Sequence, residues 1–376
     1  MLLDRNLFAK EQKQIKLQIK VARNFAELEP HADSWNRLAF GSLQQLPMSS
    51  HAWVSSYFEH YLAQNESWVC LLAFQDSELV GVMPSVAKTW NLLGLKVSVL
   101  GLRQSSQSCS VDILAKPGLE NIVIPALVEK MVELYPRQIG IVFDRLPENS
   151  PTIAVFEELA NFTLIKEFDS VGAYIPIGND FAKYRSNLSG NFRSNLNKAN
   201  KKLHALENAN INFINGKEAT AEYLTQLVEV EAKSWKEDVG TAIINCPQAL
   251  AFYRSLCQRL SSAGFLEWQI LTAEGKAIAV NLAVRLERLV LIWKLGYDAS
   301  YSKCSPGSLL LEEAVKLACE SPDIDEINFM TDHSWYDNWK MEKRQYYYLR
   351  LYSHKSPFSM LGYMIWNLRR KLRKIF

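Results

Sequence analysis

The sequence lacks any run of about 18 consecutive apolar residues, the length that a membrane-spanning helix requires. Its first twenty residues also lack the apolar core of a secretory signal, because Lys10, Lys13 and Lys16 interrupt them. Both absences predict a cytoplasmic protein.

Cysteine and histidine are scarce and scattered. The 376 residues include 6 cysteines and 6 histidines, with no C-x-x-C pair and no spacing typical of a zinc site. We therefore expect reduced, mostly buried thiols, no disulfide framework and no metal.

An excess of charge of one sign is missing as well. The 42 Lys and Arg residues nearly balance the 40 Asp and Glu residues, for a net charge of +2, so the chain as a whole has no bias towards polyanions and no nucleic-acid partner is expected. The sequence also has no Walker loop, dinucleotide fingerprint or Gly-x-Ser-x-Gly elbow. These absences argue against the enzyme classes built on those motifs.

What is present is typical of a globular protein, with 48% hydrophobic and 22% charged residues. The length exceeds what one core usually supports, so two domains are expected. A meander of strands followed by helix, strand, helix and strand occurs in the first half, and a similar order occurs in the second. We predict an α/β (α+β) fold of two tandem units, each with a mixed, mostly antiparallel sheet flanked by helices, over residues 1–177 and 178–355, with a basic tail at 356–376.

The second unit carries the clearest pattern. Two apolar runs flank Glu274-Gly275, a dipeptide that favours a hairpin turn. Residues 289–296 predict a third strand, Pro306 is suited to the first turn of a helix, and residues 324–330 predict a strand after that helix. The predicted order is three antiparallel strands, a helix and a strand.

This order, with Gly296-Tyr297-Asp298 and Ser305-Pro306-Gly307, resembles the core of the GNAT acyltransferases. The branch it resembles is that of FemAB-like and CelD-like acetyltransferases, which are associated with bacterial envelope and exopolysaccharide biosynthesis. In that branch a basic, Asn-rich helix like residues 192–203 usually precedes the core, with a Ser-Trp such as Ser234-Trp235 between them. The resemblance is clear over residues 180–345 and loose before them.

The resemblance implies a binding site for acetyl-CoA. The pantetheine arm would pair with the strand at 289–296, and the pyrophosphate would meet backbone amides at the start of the next helix, where unpaired N–H groups and the helix dipole favour an anion. The usual GNAT loop, Arg/Gln-x-x-Gly-x-Gly/Ala, is replaced here by Ser-Pro-Gly, which could instead simply begin a helix. The implied donor-binding residues are Leu295, Gly296, Ser305, Gly307, Ser308 and Leu309.

Acyl transfer needs a base close to the nucleophile. The candidates are Asp298, Asp332 and Glu231. Because ends of adjacent strands converge in such folds, we expect Asp298 and Asp332 to lie together, although each could be an ordinary loop or capping residue. The branch usually has Tyr-Lys after the last strand, whereas Tyr336-Asp337 stands here.

Two basic segments allow two interpretations each. The basic side of residues 192–203 could hold a phosphorylated donor or an anionic acceptor, or it could be a solvated helix face. Residues 357–376 combine apolar and basic side chains, so this tail could lie on anionic lipid as a peripheral contact or dock on the domain as an ordinary helix.

Taken together, the resemblance implies transfer of an acetyl group from acetyl-CoA to an amine or hydroxyl of a sugar, envelope or exopolysaccharide precursor. The place of action would be the cytoplasm or the inner face of the membrane. Two alternatives remain: a FemAB-like transferase that uses aminoacyl-tRNA, and a catalytically inactive GNAT scaffold in polysaccharide biosynthesis.

Overall fold

The computed structural model describes residues 16–92, 94–101, 107–234, 240 and 242–372. Trp235 and the last four residues of the basic tail therefore lie outside the described residues. The strands are β1 Gln18–Ala22, β2 Glu66–Gln75, β3 Glu78–Leu92, β4 Leu95–Gly101, β5 Leu114–Ala115, β6 Gln138–Pro147, β7 Phe162–Pro176, β8 Asn210–Asn215, β9 Leu266–Ala273, β10 Lys276–Arg285, β11 Leu289–Tyr297, β12 Glu326–Asn328 and β13 Glu342–Ser353. The helices are α1 Phe25–Leu28, α2 Ala32–Phe40, α3 His51–His60, α4 Glu120–Leu134, α5 Pro151–Glu158, α6 Phe181–Asn187, α7 Gly190–Leu203, α8 Leu224–Glu231, α9 Pro247–Ala263, α10 Pro306–Glu320 and α11 Pro357–Leu372.

All the strands join in one sheet whose order is nearly symmetrical. From one edge the order is β1-β2-β3-β4-β6-β13, and from the other it is β8-β9-β10-β11-β12-β7, with β5 attached to β3. In each half the strands follow chain order until the last one, which comes from the opposite half. The chain is thus a tandem of two similar α/β units that exchange their final strands.

The predicted boundary between the units, after residue 177, directly follows a strand that both halves share. β7 runs on to Pro176. There Ile175 pairs with Ile327 of β12, while Tyr174 pairs with Glu342 of β13. The segment is therefore a central part of the shared sheet, since its backbone groups bond on both sides.

Helices cover both faces of this sheet. On one face α2 and α3 of the first half meet α8 and α9 of the second, and their side chains form one core that contains both Trp53 and Phe252. On the other face α4 and α5 cover the first half, and α7 and α10 cover the second, as two separate cores. This arrangement confirms the predicted mixed, mostly antiparallel α/β architecture.

The six cysteines are free thiols, and five of them are buried, as expected from their spacing. Among the described helices, none is both long and apolar enough to cross a bilayer.

The tail helix α11 docks on β6 through a glycine. An ideal Cβ on Gly362 would lie 2.0 Å from the carbonyl oxygen of Ile139, so only a residue without a side chain permits this approach. Tyr363 of α11 also contacts Tyr352 of β13, with ring centroids 5.5 Å apart. One side of α11 is therefore packed on the domain.

Replacing Gly362 with leucine should separate α11 from β6. The overpacked contact should lower the free energy of unfolding by about 1–3 kcal/mol, measured by urea denaturation. Gly178→Leu is the matched control, because nothing lies within 4 Å of a Cβ there. Equal stability of the two variants would contradict the packing of α11.

His51 should make the fold sensitive to acid. The imidazole is 3% exposed, and its Nε2 lies 3.1 Å from the Ser55 hydroxyl. Burial lowers its pKa to about 4 from the ordinary 6.5, so the folded state binds fewer protons than the unfolded state. The stability of the wild type relative to His51→Gln should therefore fall as the pH drops from about 6.5 to about 4. Denaturation curves for both proteins at several pH values test this, and parallel pH dependence would refute it.

Candidate active site

β11 and β12 diverge soon after they begin. They pair in parallel only from Leu289–Glu326 to Leu291–Asn328. β12 also pairs with β7 along its length. Beyond Asn328 the chain continues along β7, through Phe329 N–H to the Ala173 carbonyl at 3.1 Å, whereas β11 continues alongside β10. The second half of β11 therefore leaves the side of β12.

A bulge at Trp293 accompanies the divergence. The register with β10 passes from Leu282–Lys294 to Ala283–Ile292, which leaves Trp293 as an extra residue. A bulge re-aims a side chain and increases the local twist. The Trp293 indole donates to the Tyr253 hydroxyl at 3.1 Å and meets the Trp53 ring at 5.2 Å in an edge contact. The bulge thus ties the divergent strand to helices of both halves.

Glu231 lies against the divergent part of β11. It is the last residue of α8 and is fully buried, and its carboxylate accepts the Ile243 N–H at 3.2 Å. An ideal Cβ on Gly296 would be 3.2 Å from Glu231 Cγ, so glycine at this position allows the contact. The structure therefore brings together Glu231, which was predicted as a candidate base, and Gly296, which was predicted to bind the acyl donor.

A buried tyrosine extends this polar region. Tyr253 is fully buried, and its hydroxyl donates to the side-chain oxygen of Gln107. Burial is the main reason that its pKa is raised well above the ordinary value, and the negative charge of Glu231 contributes. Lys294 lies over the Tyr253 ring, 5.4 Å from the centroid. The phenol therefore remains protonated at neutral pH.

Asp298 is engaged in local structure. It caps the 3₁₀ turn Ala299–Cys304, because its carboxylate accepts the Ser300 N–H at 3.0 Å and the Ser300 hydroxyl. Lys276 is 3.8 Å away, and the Asp298 residue is 4% exposed. These contacts occupy the carboxylate that was predicted to act as a base.

Asp332 is placed differently. Its carboxylate forms an ion pair of 2.7 Å with Lys343 of β13 and is partly exposed. Because β11 and β12 separate rather than converge, the expected pairing of Asp298 with Asp332 does not follow from strand adjacency, and no hydrogen bond or ion pair joins them in the described part of the chain. The neighbouring Tyr336 is buried against Thr331, 3.1 Å between hydroxyl oxygens, and burial raises its pKa to about 12.

The start of α10 is not a fully open anion-binding site, because two of its backbone N–H groups are already hydrogen-bonded. Ser305 has a left-handed backbone, φ 46°, and its carbonyl accepts the N–H groups of both Ser308 and Leu309, at 3.0 and 3.1 Å. Pro306 has no N–H group. Of the predicted amide donors, Gly307 is the one that no described acceptor engages. Its ideal Cβ position is 3.6 Å from the Tyr297 ring.

The basic helix α7 approaches the same loop. Lys202 donates to the Lys303 carbonyl at 3.2 Å, so this part of α7 lies beside the turn that precedes α10. Arg185 of α6, in contrast, is held by Glu312 at 2.7 Å. Lys202 and Lys303 therefore place positive charge near the start of α10.

The group around the bulge was not predicted from the sequence. Gln107, Tyr253 and Trp293 come from three distant segments, and no local pattern connects them. The one sequence signal was Lys294, a cation within an otherwise apolar strand pattern.

Comparison with known proteins finds similarity to part of the sequence and to the fold. The model of the acetyltransferase (GNAT) domain family matches residues 190–341, the part that contains every predicted site residue. Among solved structures, FemX superposes with a TM-score of 0.63 at 9% identity, over 91% of this chain and 99% of FemX. A protein of unknown function from Bacteroides thetaiotaomicron VPI-5482 superposes with a TM-score of 0.54 at 12% identity, over 89% and 99%.

Among curated proteins, none matches this sequence significantly. Residues 190–341 thus match the acetyltransferase (GNAT) domain family, and the chain as a whole shares the fold of FemX.

Proposed function

We propose that this protein transfers an acetyl group from acetyl-CoA to an amine or hydroxyl of a sugar, envelope or exopolysaccharide precursor in the cytoplasm. The observation that carries the proposal is the buried carboxylate of Glu231 against Gly296, in the part of β11 that lies beyond its pairing with β12. A carboxylate kept out of bulk water beside an open strand is suited to accept a proton during acyl transfer.

The donor would lie along the divergent half of β11. Leu295 and Gly296 belong to this stretch, and the first turn of α10 begins close to its end, because Tyr297 contacts the Gly307 position. The Gly307 N–H and the Ser308 hydroxyl would bind one phosphate, with Lys202 and Lys303 supplying positive charge nearby. Ser308 and Leu309 contribute less through their amides, because both already bond to Ser305.

The reaction would use Glu231 as the general base, directly or through one water. Its carboxylate takes the proton of the acceptor amine or hydroxyl, and the acceptor attacks the thioester carbonyl. The carbon–sulfur bond then breaks, and coenzyme A leaves as a thiolate that takes up a proton. The Asp298 cap would position the loop between β11 and α10. Asp332 would contact the acceptor molecule.

The main alternative donor is aminoacyl-tRNA, which the FemAB-like resemblance brings with it. The balanced net charge favours the smaller donor, because the chain as a whole has no bias towards polyanions. An inactive scaffold is the second alternative, and turnover with any acceptor would exclude it.

Calorimetric titration with acetyl-CoA and with free coenzyme A tests the donor. Gly307→Leu should abolish saturable binding, because the new side chain would fill the space between the first turn of α10 and Tyr297. Gly178→Leu should bind as the wild type does. Absence of binding to the wild type at about millimolar ligand would direct the search to aminoacyl-tRNA, and unchanged affinity of Gly307→Leu would refute the phosphate site.

Glu231→Gln tests the base. The amide keeps the shape beside Gly296 but cannot accept the proton, so kcat should fall by about 10²–10⁴-fold while donor affinity is retained. Glu267→Gln is the matched control, since Glu267 is also buried in the second half, 3% exposed, but bonds to Gln269 and lies near Arg285. A similar kcat for both variants would show that Glu231 only positions the segment at Ile243. Asp298→Asn and Asp332→Asn in the same assay decide whether those carboxylates take part.

A further inference from the structure

The outer side of α11 carries a continuous apolar stripe. At spacings of three and four residues, four large side chains lie along one side of the helix, and all are substantially exposed: Leu361 at 37%, Met364 at 58%, Leu368 at 60% and Leu372 at 48%.

This stripe is separate from the side of α11 that packs on the protein. Ser359 and Gly362 are buried, and Gly362 touches the backbone of β6. A helix whose outer side faced only water would be expected to carry polar residues there. The exposed stripe therefore calls for a partner outside the described chain.

The charge next to the stripe is wholly positive. Arg369, Arg370 and Lys371 occupy the last described turn and are exposed, and α11 contains no acidic residue. The Arg370 guanidinium also lies over the Trp366 ring, 5.3 Å from its centroid. Apolar side chains beside cations and an aromatic ring are the pattern of helices that lie in the interface of an anionic bilayer.

A second element of the same character borders α11. The β3–β4 hairpin exposes Trp90 at 38% and Leu95 at 44%, next to the exposed Lys96. Trp90 lines a cavity of about 790 Å³ together with Trp366, Arg369 and Arg370 of α11. The two elements thus flank one cavity, lined by aromatic and basic side chains and also by Glu66 and Glu167, and a surface that contacts one element is within reach of the other.

We propose that α11 and the tip of the β3–β4 hairpin form a docking surface for an anionic lipid bilayer. The apolar stripe enters the interface between headgroups and acyl chains, and Arg369, Arg370 and Lys371 contact the acidic headgroups. Charge complementarity selects this partner, because the surface offers cations and flexible apolar side chains. The inference is independent of the identity of the acyl donor.

Sedimentation of the full chain with lipid vesicles tests the proposal. Vesicles of phosphatidylcholine alone are compared with vesicles that contain about 30% phosphatidylglycerol, at about 0.1 M salt. We expect binding to the anionic vesicles that weakens as salt is raised. Arg369→Gln with Arg370→Gln should weaken it about thirtyfold, from about 1 kcal/mol for each cation near the surface. Met364→Gln with Leu368→Gln should weaken it at every salt concentration.

Matched control variants distinguish docking through this surface from nonspecific adsorption to the vesicles. Lys198→Gln with Lys201→Gln removes the same charge from α7, and Ile122→Gln removes a side chain of α4 that is 40% exposed. Both control proteins should bind as the wild type does, and thermal unfolding should show that every variant is folded. The proposal is overturned if the wild type does not bind anionic vesicles, or if the α7 variant loses as much affinity as the α11 variant.

Discussion

The antiparallel pairing of β7 with β13 is the interaction on which the rest of the structure depends. All 12 residues of β13 pair with β7, and each strand also bonds to the opposite half, β13 to β6 and β7 to β12. Neither half could complete its sheet without a strand from the other. The shared core that joins α3 to α9 across the halves follows from this exchange, because the sheet beneath those helices is continuous.

The exchange also creates the candidate site. After Asn328 the chain follows β7 rather than β11, as the bond from Phe329 to Ala173 shows, and β11 is left to run beside β10 alone. The bulge at Trp293 and the glycine at 296 then admit α8, whose last residue is Glu231. β7, a strand of the first half, thus determines where the sheet of the second half opens between β11 and β12.

The two proposed surfaces lie in different parts of this framework. The candidate active site belongs to the second half, within the part that the GNAT domain model matches. The helix α11, for which we propose lipid contact, follows β13 and packs on β6 of the first half. If both proposals hold, the first half positions the enzyme at a membrane while the second performs transfer, a division of roles between two units with a similar fold.

The sequence by itself determined the class of fold and the local elements. Pro247 and Gly264 mark the ends of α9, and Glu274-Gly275 marks the hairpin, because proline geometry and left-handed turns act within a few residues. The GNAT resemblance likewise depended on short motifs at fixed spacing. Only the tertiary structure decided that residues 174–176 are central, that Asp298 caps a turn, and that Glu231 meets Gly296. The pairing of residues 174–176 and the contact of Glu231 with Gly296 join segments about 65 residues or more apart in the sequence. The Asp298 cap depends on which of several local hydrogen bonds forms. A local sequence pattern does not indicate which distant segment will hydrogen-bond to the edge of a strand. That pairing is determined only when the whole sheet folds.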